Sequence, residues 1–125
     1  MKKALLVLTL VILTSCYSYK FATYSIILDY TPYTMNGFFL TESNSVNFEY
    51  FPLGNINSVA RDGYENNEYK NAEPEDALQE FVNKCTSIRA NGAINIKVIP
   101  IYDKKGEYIV GYNISGMAIK ITPKN

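Results

Sequence analysis

The sequence predicts an α+β fold: a β-α-β-β two-layer unit, a mostly antiparallel sheet packed against one helix, with extra extended segments at its N-terminal side. Three observations carry this expectation. Residues 37–64 hold short stretches in which apolar and polar residues alternate. Residues 74–90 hold one amphipathic stretch with helix signals at both ends, and residues 93–122 return to alternation around a turn sequence. Strands, then a helix, then two strands place one helix across one sheet.

Taken in order, residues 24–30 alternate Tyr24, Ile26, Leu28 and Tyr30 with smaller or polar residues, which predicts an extended piece broken by Thr31-Pro32. Residues 37–42 form an aromatic-rich strand closed by Ser43-Asn44-Ser45. Residues 46–51 make a second extended piece ended by Pro52, and residues 55–64 a third of weaker period. Residues 65–73 are polar and read as an exposed loop. Glu65, Glu68 and Glu73 lie there without the oxygen-ligand spacing or central glycine of a calcium loop, so no metal is expected.

The helix has Pro74 at its first position and Glu75 and Asp76 on the positive end of its dipole. Ala77, Leu78, Phe81, Val82, Cys85 and Ile88 recur at three- and four-residue spacing, one stripe to be laid on a sheet. Asn91-Gly92 is expected to supply the left-handed residues that end it. Ile94, Ile96 and Val98 then alternate with Asn95 and Lys97, and Pro100 predicts an edge or a bulge. After the turn Asp103-Lys104-Lys105-Gly106, residues 107–122 form one long strand or two kinked near Gly111 or Gly116.

The chain's beginning belongs to a different chemistry. Lys2 and Lys3 precede an apolar run over residues 4–13 that is about half the ~20 residues a membrane-spanning helix needs, the pattern of a signal peptide over residues 1–15. Leu13-Thr14-Ser15-Cys16 then resembles the lipobox of bacterial lipoproteins: a branched apolar residue, two small residues and a cysteine. That resemblance implies that Cys16 is lipidated and becomes the new N-terminus. Acyl chains buried at about 0.8 kcal/mol per CH₂ anchor a domain without a spanning segment. Tyr17 stands where an Asp favours inner-membrane retention in such lipoproteins, so the expected address is the outer membrane, facing the periplasm. Residues 16–36 form the lipidated N-terminus and tether, or an extra strand, and residues 37–125 a single globular domain.

With 125 residues, 12 Lys+Arg against 12 Asp+Glu and no basic block, the chain is one folded domain and no nucleic-acid binder. The lack of histidine removes Ser-His and Cys-His pairs, and imidazole metal sites with them. Once Cys16 is acylated, Cys85 is the lone thiol in an oxidising compartment and is expected to be an inert core residue. Asp62 near Arg61, Glu42 near Ser43 and Asp103 beside Lys104 are the nearest approach to catalytic pairs. Sequence neighbours at turns are ordinarily solvated surface, so no enzyme activity, no metal and no cofactor is expected.

Three runs carry a further likeness. Tyr50-Phe51-Pro52-Leu53-Gly54-Asn55-Ile56, then Arg89-Ala90-Asn91-Gly92-Ala93-Ile94-Asn95-Ile96, then Gly116-Met117-Ala118-Ile119-Lys120-Ile121, resemble the YbjQ-like family over residues 37–122. The likeness implies a β-α-β-β unit and, since some members form rings, a homo-oligomer. It also implies kinship of fold with the envelope-stress lipoprotein RcsF, which relies on disulfides this chain cannot make. Some relatives are labelled heavy-metal-binding domains, a chemistry wanting soft or imidazole ligands that are scarce here. Arg89 departs from the pattern, standing where the family often has a glycine.

Two functional expectations follow. The first is a non-catalytic envelope lipoprotein that acts as a protein-interaction, assembly or envelope-stress-sensing module, held to the membrane through Cys16 and partnered by itself or another envelope protein. The second draws on the 11 tyrosines: an oligomeric carrier or sequestering module, in which Tyr24, Tyr30, Tyr50, Tyr64, Tyr108 and Tyr112 converge on a ligand pocket.

Overall fold

The computed structural model describes residues 23–123. Cys16 and residues 1–15, expected as a signal peptide, lie outside the described residues. The elements are α1 (Thr31–Thr34), β1 (Phe39–Leu40), β2 (Tyr50–Arg61), β3 (Gly63–Glu65), β4 (Glu68–Lys70), α2 (Pro74–Ser87), β5 (Gly92–Tyr102) and β6 (Ile109–Ile121). Four strands form a sheet in the order β1-β5-β6-β2, antiparallel except for the short β1–β5 pair, and β3 and β4 form a separate hairpin. The fold is α+β, with α2 laid across β2, β6 and β5.

The core lies between α2 and one face of the sheet. Ala77, Leu78, Phe81, Val82 and Cys85 from α2 meet Ile56, Ala93, Ile96, Ile114 and Ala118 from the strands. Phe81 is fully buried, and its ring stands over Gly116, where an added Cβ would lie 3.0 Å from Cζ. Gly116 therefore makes room for the largest side chain of the core. Gly111 answers a different need: a Cβ there would collide with the Ala60 carbonyl oxygen of β2. Both glycines sit within one continuous strand, so β6 is not divided at either.

Several elements differ from the sequence expectation. Residues 24–30 are irregular rather than a strand, because their alternation packs Leu28 and Tyr30 onto the core without joining a ladder. Thr31-Pro32 opens the short helix α1 instead of merely ending a strand, since proline is tolerated in a first helical turn. The strand expected over residues 37–42 shrinks to β1, although Thr41 and Ser43 go on accepting or donating backbone bonds to β5.

Of the pieces expected over 46–51 and 55–64, residues 46–49 are irregular, residues 50–61 run on as the single strand β2, and residues 63–64 belong to β3. Pro52 does not break β2 because β2 is an edge strand, where the missing N–H costs no ladder bond, and a register shift between Pro52 and Gly54 absorbs the irregularity. Residues 65–73, expected as loop, contain the hairpin turn. Asn66 and Asn67 have φ of 52° and 67°, the paired left-handed conformation of a type I′ turn.

Helix α2 starts at Pro74 as expected, and the Asp76 carboxylate accepts the Glu73 N–H at 2.9 Å, satisfying a donor that the first turn leaves free. It ends differently. Arg89, with φ 67°, is the left-handed residue; its N–H bonds the Thr86 carbonyl while that of Ala90 bonds the Cys85 carbonyl, a Schellman closure. Asn91 has another task. Its side chain accepts the Ile121 N–H at 2.7 Å and donates to the Ile121 carbonyl at 3.2 Å, acting as one more rung between β5 and β6. In β5, Asn95 (φ 55°) is the extra residue of a bulge between Ile94 and Lys97.

Candidate functional site

The residues that sequence reasoning singled out for chemistry are committed to local structure. Asp62 does not pair with Arg61; its carboxylate accepts the Ala72 N–H at 2.7 Å and ties the base of the β3–β4 hairpin to the sheet. Glu42 accepts the Tyr30 hydroxyl at 3.3 Å, while Ser43 closes its own turn with Ser45. Burial, with Glu42 nearby, pushes the Tyr30 hydroxyl up to about 12, so it stays protonated and donating. Asp103 accepts the N–H groups of Glu107 (2.8 Å) and Tyr108 (3.4 Å), which hold its carboxyl below the usual range. These contacts build turns and leave no acid, base or nucleophile facing a common point.

Cys85 is a free, fully buried cysteine in the α2 stripe. Burial pushes its thiol up to about 11, which keeps it as the unreactive thiol at neutral pH. Among the described residues, no group of three Cys, Asp or Glu side chains is placed to hold a metal ion.

The six tyrosines do not line one pocket. Tyr30, Tyr33 and Tyr112 pack against the core, whereas Tyr64 stands on the β3–β4 hairpin and Tyr108 beside the β5–β6 turn. Three separate clefts each include one of the six: Tyr64 with Arg61, Lys70 and Asp76, Tyr50 with Phe48 and Phe51, and Tyr112 with Ile26, Ile27 and Pro74. No tyrosine-lined pocket forms among the described residues.

What the fold does present, among the described residues, is a sheet face left open in its half toward Arg61, and a long edge. Strand register puts Asn55, Asn57 and Val59 of β2 beside Met117, Ser115 and Asn113 of β6, with Lys97 and Ile99 of β5 completing the row, all on the face away from α2. A shallow recess of about 340 Å³ lies among Asn55, Asn57, Asn95, Lys97 and Ser115. On the same face, outside the recess and between Val59 and Ile99, the Asn113 Oδ1 is buried without a hydrogen-bond partner among the described residues. Among the described residues β2 pairs with β6 on one side only, so its other edge carries backbone donors and acceptors that no described strand meets. Alternation in the sequence set Lys97 opposite the apolar side of its strand; that nothing among the described residues covers this part of the face is a tertiary fact that no local pattern encodes.

No protein-family model and no curated protein matches the chain. A solved structure with a matching backbone is that of a protein of unknown function belonging to the DUF74 family from Pediococcus pentosaceus, 14% identical, with a TM-score of 0.55 over 69% of this chain and 99% of that one. At that identity the likeness is one of fold: nearly the whole of that chain is spanned by the α+β unit described above.

Proposed function

We propose that this chain is a bacterial envelope lipoprotein, acylated on Cys16 and facing the periplasm from the outer membrane, whose domain is YbjQ-like and works without catalysis as an interaction or assembly module. The observation that carries it is the ordered series of a basic start, a short apolar run and Leu13-Thr14-Ser15-Cys16. The domain fits the task in two ways. Asp62 and Asp103 are spent on holding turns, and the open face with the β2 edge that no described strand meets offers a place for another chain to add a strand.

Replacing Cys16 with Ser and following the chain through membrane fractionation tests the anchor. Wild type is expected in the membrane fraction with acyl mass on Cys16, and Cys16→Ser in the soluble fraction. Membrane retention of Cys16→Ser, with no acyl mass on wild type, would overturn the reading. Native mass spectrometry tests the assembly: a defined oligomer is expected, and a bare monomer argues for a different envelope partner on the same edge.

A further inference from the structure

We infer that one end of the domain, the end where the chain arrives from Cys16, lies against the phospholipid headgroups and is held there by exposed tyrosines. The inference rests on the lipoprotein reading and adds an orientation to it. Register aligns Arg61 of β2, Gly111 of β6 and Ile101 of β5, so the β3–β4 hairpin and the β5–β6 turn project from the same end of the sheet. Asp62 secures the hairpin there, since its N–H bonds the Val110 carbonyl and its carboxylate holds Ala72.

Five tyrosines occupy that end. Tyr64 is 80% exposed and Tyr108 69%, and Tyr69, Tyr102 and Tyr24 are about half exposed. Tyr64 and Tyr69 stand edge to face at 5.4 Å, and the Tyr24 and Tyr102 hydroxyls are hydrogen-bonded at 2.8 Å. That last contact fixes where the tether enters. From Cys16 to Tyr24 the chain spans no more than about 30 Å even when fully extended, so acyl chains on Cys16 keep this end, and not the opposite one, close to the bilayer.

Tyrosine suits that position, because its ring favours the acyl boundary and its hydroxyl the wet headgroups. The two loops carry Lys70, Lys104 and Lys105 beside Glu65, Glu68, Asp103 and Glu107. Charge is close to balanced, so the contact is aromatic, and a zwitterionic phospholipid is the fitting surface.

The chain contains no tryptophan, so single Tyr64→Trp, Tyr108→Trp and Phe51→Trp variants each give one reporter, the last at the opposite end of β2. The chain beginning at Cys16, which contains the whole described domain, is bound to phosphatidylcholine vesicles with and without brominated acyl chains. Emission of Tyr64→Trp and Tyr108→Trp is expected to fall roughly twofold or more on bromination, with Phe51→Trp unchanged. Equal response of all three, or none at all, would overturn the inference. If mass spectrometry finds no native acylation, the same experiment is run with a maleimide lipid coupled to Cys16, since Cys85 is buried. Quenching there would uphold the docking end while the anchoring reading falls, and its absence would overturn both.

Discussion

Even-numbered residues of β6 (Tyr112, Ile114, Gly116, Ala118) turn toward α2, and odd-numbered residues between them (Asn113, Ser115, Met117) turn the other way. The first set is apolar or small and closes on Phe81 and Cys85; the second is mostly polar and continues across the sheet into Asn57 and Lys97. One strand thus serves two demands through its two-residue period. The helix-side face closes the core, and the other carries most of the exposed side chains of the sheet. At the β1 end even the far face is closed, with Ile94 and Ile119 buried where Phe39 sits against Gly92 and meets Phe48 edge to face. The open area is therefore confined to the half toward Arg61, where Val59 is 47% and Ile99 53% exposed.

The largest expected effect tests whether the faces differ as much as their burial says. Phe81→Ala leaves a cavity over Gly116 and is expected to cost about 3–5 kcal/mol, whereas Ile99→Ala on the open face is expected to change stability by no more than about 0.5 kcal/mol. Urea unfolding of the two variants measures this directly. Comparable losses would mean that the far face is packed in solution, by a second copy or another chain.

Asn91→Ala comes next. It removes both side-chain bonds to Ile121, leaving the backbone groups of a part-buried strand end without partners, and is expected to cost about 1–3 kcal/mol. Amide hydrogen exchange should show faster exchange at Ile121, with Ile114 in the strand centre unaffected. Uniform loss of protection would show instead that Asn91 supports the whole sheet.

The long regular elements were legible in the sequence: α2 with its proline start and apolar stripe, β5 by alternation except that the Asn95 bulge turns Ile94 to the face opposite Ile96 and Val98, and the turn at Asp103. What the sequence concealed were places where the decisive partner is distant. Pro52 looked like a strand end until the edge position of β2 made its missing N–H harmless. The two asparagines of the β3–β4 turn were read as part of a polar loop, although consecutive Asn-Asn is itself a turn signal. Asn91-Gly92 looked like a helix stop, yet the left-handed position is filled by Arg89, and Asn91 is claimed by Ile121, thirty residues away. The candidate site was less legible still, since Cys16 is visible only in sequence, and an uncovered face only in the assembled sheet.

Arg89 gives a smaller prediction of opposite sign. Holding a non-glycine residue in the left-handed region costs roughly 1 kcal/mol, and the exposed Arg89 side chain has no hydrogen bond or ion pair recorded among the described residues to offset it. Arg89→Gly is expected to raise stability by about 0.5–1 kcal/mol without altering the fold. A loss of stability would mean that the guanidinium has a role beyond the helix end.

Asn113→Val carries the smallest expected change and bears most directly on the open face. Asn113 lies between Val59 and Ile99 in the cross-strand row, and its Oδ1 is buried with no donor to accept from among the described residues. Valine has nearly the same volume, suits a strand and has no polar atom to desolvate, so an isolated domain should gain up to about 1 kcal/mol. The urea midpoint reads that gain. If a partner donates to Asn113 Oδ1 in the assembled protein, the result reverses: the monomer is stabilised while the oligomer or complex weakens, because an unmade hydrogen bond moves from the free chain to its partner. Measuring midpoint and oligomeric state on the same sample separates the two. A gain in both would leave the β2 edge, rather than this face, as the surface where another chain binds.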